Sequence, residues 1–337
     1  MRIPLGIWVL LGAASCGSAP RPSEQAQLRA EAAQESDPSE LLREGRRLLR
    51  SGRSAGAQRA FENAASSAAS RQDSAVLAEA LAESAAGRAR AGQIEEAEKL
   101  LQAGEARVLP EDRSAWARVR ATRGLLLHLA GDSAGAAWAY GEAFKTAERS
   151  GQIGLALECA HRLALWSPEV EREQWAREGI SLAQAYEEGR WEALLEADLA
   201  LALEFGGDTA GALQAQLRSR LLHYSTGGGL ERLRADWSVG RSYRLDGRPQ
   251  AALEWLSNVV GRAERRMEAL GDRESRLWTA LAYGELGRVE QALGHSEQAD
   301  LYTQRAEDLL DPVGGRGLLS LDPRNWLAGI ASLADGF

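Results

Sequence analysis

Cysteine and histidine are scarce in this chain, which limits the metal and redox chemistry open to it. The two cysteines are Cys16, at the end of an apolar N-terminal segment, and Cys159, alone in an apolar run, so no disulfide framework is expected. Cys159 is interpreted as a small buried side chain rather than a reactive thiol. The four histidines are His128, His161, His223 and His295. Their spacing is unlike that of metal ligands, and we predict no metal site.

Motifs of catalysis are also scarce. The sequence has no His-x-x-x-His pair and no phosphate-cradling glycine loop ahead of a lysine. Gly227–Gly229 is followed by Leu-Glu-Arg, which is typical of a helix start, and acidic pairs such as Glu95-Glu96 are typical of solvated helix faces. We therefore predict that the protein is not an enzyme and binds no cofactor and no small-molecule substrate.

A concentrated basic block is missing as well. Forty Lys and Arg stand against 48 Asp and Glu, a formal net charge of -8. Nucleic-acid binding depends on basic side chains that neutralise phosphates, so no nucleic-acid partner is expected. Aromatic residues make up 6% of the chain and prolines number nine, whereas the helix formers Ala, Leu, Glu and Arg are abundant. This composition favours an all-α fold.

The first sixteen residues indicate export. Arg2 precedes a mostly apolar run, Ile3–Ala14, which is shorter than the roughly 20 residues that span a bilayer but is typical of a signal peptide. The string that ends this segment, Ala13-Ala14-Ser15-Cys16, resembles the lipobox of bacterial lipoproteins, in which the cysteine is acylated. It departs from that pattern at Ala13, where the family prefers leucine. Ordinary secretory cleavage between Ala14 and Cys16 is the alternative.

The lipobox resemblance implies a location. It makes Cys16 the lipidated residue of a protein in the bacterial cell envelope. Because Gly17 follows, rather than the aspartate that marks inner-membrane retention, it further implies an outer-membrane lipoprotein that faces the periplasm. Residues 17–37 hold two prolines and no apolar periodicity, and we predict a flexible tether that spans about 25 Å.

A repeat of about 40 residues occupies the rest of the chain. A glycine followed five positions later by an alanine recurs as Gly52/Ala57, Gly92/Ala97, Gly131/Ala136, Gly207/Ala212, Gly247/Ala252 and Gly294/Ala299. A degenerate copy keeps Ala176 but has Glu171 in place of the glycine. A small residue also precedes each turn: Gly45, Ala85, Gly124, Ala164, Ala200, Gly240 and Gly287. The glycine supplies a positive-φ turn, and the small residues allow two helices to approach closely.

This arrangement resembles the tetratricopeptide repeat. The resemblance implies an all-α, right-handed superhelical solenoid of about seven helix hairpins over residues 38–311. The expected helix pairs are 38–51/54–70, 73–91/94–107, 111–130/133–150, 152–166/169–186, 188–206/208–224, 229–246/248–270 and 273–293/296–310. The unit is longer than the usual 34 residues, and HEAT repeats are the alternative. Residues 225–229 are a candidate hinge, and residues 312–337 are expected to form a turn and a capping helix.

The resemblance also places a binding groove on the first helix of each hairpin. It carries a candidate peptide site onto Arg234, Trp237, Arg241, Arg244 and Arg288. Guanidinium groups around one tryptophan suit an acidic peptide or a C-terminal carboxylate. The alternative is that Trp237 packs between helices while the arginines form a solvated face, paired with Glu231, Asp236 and Asp246.

These observations predict a binding scaffold rather than an enzyme. The expected function is an adaptor that gathers other envelope proteins or peptides while its N-terminal lipid holds it in the membrane. One alternative is a structural spacer in a secretion, pilus or envelope-assembly machine. Another is a cytoplasmic regulatory sensor, which requires that the N-terminal segment is not an export signal.

Overall fold

The computed structural model describes residues 36–109 and 111–310, and this part of the chain forms fourteen α-helices without a strand. The helices are α1 (Pro38–Arg50), α2 (Ser54–Ser70), α3 (Ser74–Arg90), α4 (Ile94–Glu105), α5 (Arg113–Leu129), α6 (Ser133–Arg149), α7 (Ile153–Trp166), α8 (Glu169–Ala185), α9 (Gly189–Phe205), α10 (Thr209–Thr226), α11 (Gly229–Leu245), α12 (Pro249–Leu270), α13 (Arg273–Leu293) and α14 (Ser296–Leu310). Each expected boundary lies within two residues of the observed one. The all-α fold and its seven helix pairs are confirmed.

Each helix pair joins an A helix, which has an odd number, to a B helix, which has an even number. All six glycines of the repeat adopt positive φ between +73° and +84°, as the turn requires. The residue that follows such a turn often caps the B helix. Asp132 and Asp208 are examples, since their carboxylates accept hydrogen bonds from the backbone N–H groups of Gly135 and Gly211.

Small residues on the A helices face large residues on the B helices. A Cβ built on Gly45 would lie 2.4 Å from the Phe61 ring, and one on Gly240 would lie 2.6 Å from Leu256. Gly124 faces Tyr140 in the same way. The repeat therefore encodes a close helix–helix contact, in which a glycine on one helix makes room for a bulky side chain on the next.

Substitution of Gly45 tests this packing. We expect Gly45→Ala to lower the free energy of unfolding by about 1–3 kcal/mol, because Phe61 must move to admit the new methyl group. Gly141→Ala is the matched control: it lies inside α6 with nothing within 4 Å of a built Cβ, so helix propensity should stabilise it by about 0.5–1 kcal/mol. Denaturant unfolding followed by circular dichroism measures both. Equal effects would contradict the proposed contact.

The apolar core is interrupted twice along the array. One cluster belongs to the first hairpins and includes Leu42 and Phe61, a second runs from Ala78 to Ala215, and a third from Leu233 to Val289. The second interruption falls beside the predicted hinge. There α10 continues through Thr226, so only Gly227 and Gly228 separate α10 from α11. Hinge motion at this place stays a prediction.

Several predictions concern residues outside the described part of the chain. These are the signal peptide with Cys16, the tether up to residue 35 and the capping helix within 312–337. Among the residues that are described, no helix combines the length and apolar character needed to cross a membrane. No group of His, Cys, Asp and Glu within 36–109 and 111–310 could hold a metal ion. Cys159 is fully buried and burial raises the pKa of its thiol, which agrees with the packing interpretation.

Candidate functional site

Ionisable side chains link consecutive A helices along the whole array, and one further pair, Arg90 with Glu158, joins A helices two repeats apart. We call this set the charge ladder. Its pairs are Arg46 with Glu79 and Glu83, Arg118 with Glu83 and Glu158, Arg90 with Glu158, His161 with Asp198, Arg241 with Glu204, and Arg244 with Glu285. Most of these residues have little solvent exposure. These side-chain contacts add to the packing of each B helix against the next A helix, which joins most successive repeats.

Glu158 lies near the middle of the charge ladder. Its burial alone would raise the pKa of its carboxyl, but the positive charges of Arg118, Arg90 and Arg162 outweigh that effect and lower the pKa to about 2. The Arg118 Nη1 atom lies 3.2 Å from Glu158 Oε2. The carboxylate is therefore charged at neutral pH and compensated from three sides.

Acid should weaken this contact. A folded-state pKa of about 2 against an ordinary value of 4.5 gives stability that is present above pH 4.5 and is lost as the pH falls towards 2. We expect Glu158 to contribute about 2–3 kcal/mol to that loss. Urea unfolding between pH 7 and pH 2 measures it, and Glu158→Gln should show a flatter curve than the native chain. Parallel curves for the two proteins would contradict the assignment.

The five predicted peptide-binding residues have different surroundings in the structure, and not all of them are accessible to a ligand. Trp237 is 1% exposed, packs edge-on against Trp278 and donates from Nε1 to the Leu281 carbonyl, so it is a core residue and not an accessible anchor. Arg241 is buried beside Glu204. The packing alternative for Trp237 thus describes its surroundings correctly.

Arg244 and Arg288 share one acid. Both contact Glu285, whose side chain is fully buried. Arg241 and Arg244 therefore pair with Glu204 and Glu285, and not with the acids that the alternative proposed, which are Glu231, Asp236 and Asp246. Arg234 differs from these arginines, since its guanidinium stacks over the Trp278 ring at 5.1 Å and lines a cavity.

That cavity opens where the A helices separate. Of the six consecutive pairs of A helices, α9 and α11 have the least backbone contact. A cavity of about 330 Å³ fills the space between them, which we call the α9–α11 cavity. Arg241 of α11 lines it, and α10 contributes Gln216, Ser219 and His223. The cavity coincides with the second interruption of the apolar core.

The lining of the α9–α11 cavity combines apolar side chains with polar and charged ones. Arg190, exposed at the start of α9, makes no ion pair within the described residues. His223 lies deeper, and its burial, together with the charges of Arg234 and Arg190, lowers the pKa of its imidazole. Glu231 also lines the cavity, and its negative charge opposes this effect by raising the pKa of His223. The imidazole is neutral at pH 7 and can donate or accept a hydrogen bond.

Arg190 lies outside the groove positions that the resemblance implies. When repeats 5 and 6 are aligned on Ala200 and Gly240, the residue equivalent to Arg234 is Leu194, and Arg190 lies four residues earlier, near the start of α9. His223 lies on a B helix, for which the resemblance gives no groove position. Only the wider gap between α9 and α11 brings His223 into the cavity.

The Gly-x-Ser-x-Gly motif, which carries the nucleophilic serine in many hydrolases, occurs twice in this chain as part of the helical repeat. Gly52-Arg53-Ser54-Ala55-Gly56 and Gly131-Asp132-Ser133-Ala134-Gly135 both have the spacing Gly-x-Ser-x-Gly. In a nucleophile elbow this motif joins a strand to a helix. Here each copy is the turn between two helices of a repeat, at equivalent positions of repeats 1 and 3. The motif is therefore part of the repeat.

Comparison with known proteins identifies the fold. No family model matches the chain, and no curated protein matches it significantly. A signal-transduction ATPase with a tetratricopeptide repeat sensor from Pyrococcus horikoshii aligns with 88% of this chain and 46% of its own, at a TM-score of 0.66 and 13% identity. The chain folds as a tetratricopeptide-like solenoid.

Two further solved structures have the same fold. The apo form of RapI has a TM-score of 0.66 at 10% identity, covering 88% of this chain and 85% of RapI. A Rap protein in complex with Competence and Sporulation Factor has a TM-score of 0.54 at 12% identity, covering 84% and 77%. The α9–α11 cavity is lined mainly by A helices, on which the tetratricopeptide resemblance places the groove.

Proposed function

We propose that this protein is a binding scaffold that takes an acidic segment or C-terminal carboxylate of a partner protein in the α9–α11 cavity. The observation that carries the proposal is the pair Arg190 and Arg234 at a gap between groove helices. A guanidinium binds a carboxylate through two parallel hydrogen bonds, and neutral His223 adds a further polar contact. The Rap protein bound to Competence and Sporulation Factor supports a binding role for this fold.

Arg241 and Arg244 are unsuitable for testing this site, because each compensates a buried glutamate. Arg190 and Arg234 are better targets, because Arg190 is exposed and Arg234 is partly exposed where it stacks on Trp278. We expect the double variant Arg190→Glu/Arg234→Glu to capture at least tenfold less partner from detergent-solubilised envelopes, since two attractive contacts become repulsive. Capture should also weaken with added salt.

The matched control is Arg59→Glu/Arg149→Glu, which changes the net charge equally on the exposed sides of α2 and α6. It should capture partner like the native chain. Unchanged capture by Arg190→Glu/Arg234→Glu would move the binding surface elsewhere, and an equal loss in both double variants would indicate a general charge effect. Circular dichroism of each variant verifies that the helices are retained.

The proposed site of action is the periplasmic face of the bacterial outer membrane, with the lipid on Cys16 as the anchor. The lipobox-like string before Cys16 supports this proposal. Labelling with radioactive palmitate should mark the native chain and not Cys16→Ser, which should leave the membrane fraction. An unlabelled native chain in the cytoplasm would contradict the envelope location and favour the regulatory-sensor alternative.

A further inference from the structure

A second cavity lies on the opposite side of α11, between the B helices α10 and α12. It has a volume of about 450 Å³, and its lining includes Arg220 from α10 and Arg262 from α12. Asp236 of α11 forms its floor. Because two B helices form its walls, this cavity faces away from the groove and is distinct from the proposed peptide site.

One buried carboxylate holds both arginines of this cavity. Asp236 is 3% exposed, and its Oδ1 accepts a hydrogen bond from Arg220 Nε at 2.6 Å. Its Oδ2 accepts from the Tyr224 hydroxyl at 2.6 Å and from Arg262 Nη1. Both oxygens of the carboxylate are occupied, so the two guanidinium groups are fixed side by side.

Each arginine keeps hydrogen-bonding capacity beyond Asp236. The bonds to Asp236 use Nε of Arg220 and Nη1 of Arg262, and Nη1 also contacts the Tyr224 hydroxyl. The side chains are 31% and 36% exposed, so their remaining N–H groups reach solvent in the cavity. Arg220 is further held by stacking against Tyr224 and Trp255.

At the cavity floor two cations, Arg220 and Arg262, contact one carboxylate, that of Asp236. Glu254 lines the exposed rim but makes no ion pair with Arg220 or Arg262 within the described residues. Grouped cations are costly to desolvate without matching anions. An incoming anion would complete this arrangement.

We propose that Arg220 and Arg262 form an oxyanion site, which binds a phosphate or carboxylate group next to the Trp255 ring. The shared carboxylate of Asp236 sets the two guanidinium groups before the ligand arrives, so little side-chain entropy is lost on binding. A planar fork on each side matches the oxygens of either anion. This site does not depend on the groove proposal.

Protection of arginines from phenylglyoxal tests the site on the full-length chain. Peptide mapping by mass spectrometry reports modification of Arg220 and Arg262, with exposed Arg149 as the internal control. At an inorganic phosphate concentration ten times the dissociation constant, we expect modification of both to slow by about tenfold relative to chloride at equal ionic strength, because only the free site reacts. The same protection measurement with acetate in place of phosphate shows whether the site prefers a carboxylate or a phosphate.

Conservative variants provide the second measurement. Arg262→Lys and Arg220→Lys keep the charge beside Asp236 but remove the planar fork, so they should fold and bind phosphate several-fold more weakly, as measured by calorimetry. Protection by neither anion, or equal protection of Arg149, would overturn the proposal. So would lysine variants that fold and bind phosphate as tightly as the native chain.

Discussion

Replacing Trp237 with alanine is expected to lower the free energy of unfolding by about 3–5 kcal/mol. The indole is 1% exposed at the contact between α11 and α13, with its ring centroid 5.9 Å from that of Trp278. Alanine would leave a cavity there and would also remove the hydrogen bond from Nε1 to the Leu281 carbonyl. Urea unfolding followed by circular dichroism measures the loss.

Two comparisons separate packing from binding at Trp237. Trp237→Phe keeps most of the buried volume and should cost clearly less than alanine. Trp138 is 60% exposed, and Trp138→Ala should change the free energy of unfolding by less than about 1 kcal/mol. A Trp237→Ala protein of native stability that no longer captures partner would restore Trp237 as a binding residue.

Removal of Arg241 should be equally destabilising, at about 3–5 kcal/mol for Arg241→Ala. Both Arg241 and Glu204 are 4% exposed, and Arg241 Nη1 lies 2.6 Å from Glu204 Oε2. Without the guanidinium, Glu204 keeps a buried charge whose remaining polar contact is the Ser242 hydroxyl at 3.4 Å. The cost arises from this uncompensated carboxylate rather than from the lost attraction itself.

A double variant isolates that cause. In Arg241→Met/Glu204→Leu no buried charge remains, so its stability should lie much closer to the native value than that of Arg241→Ala. The exposed pair Arg177 and Glu173 is the control, and Arg177→Ala should cost less than about 1 kcal/mol. If the double variant is as unstable as the single one, the carboxylate is not the source of the effect.

The positions of the helices could be predicted from the sequence because their signals are local. In repeat 3, the positive-φ Gly131, the capping Asp132 and the contact of Gly124 with Tyr140 lie within about 20 residues of one another. The repetition of these signals fixed the register of all seven units. The regular pattern also explains why a degenerate unit at Ala176 still gave correct boundaries.

The candidate site depends on longer distances along the chain. Arg241 meets Glu204 from 37 residues away, and Arg244 meets Glu285 from 41, so their pairing depends on how neighbouring hairpins rotate against each other. The sequence gives no measure of that rotation. It could not reveal that Trp237 turns towards α13, nor that a gap opens between α9 and α11.

The charge ladder also restricts which repeats of this array can be duplicated in tandem. Glu204 and Arg244 occupy equivalent positions, each four residues after the aligned small residue of its unit, Ala200 or Gly240. Arg241 faces the first of these from the following unit. A tandem duplication of repeat 6 would therefore place Arg244 of one copy opposite Arg241 of the next, in a position where the native array holds a buried acid. We therefore expect such a duplication to need a compensating mutation at this contact, because two buried guanidinium groups would face each other without a carboxylate.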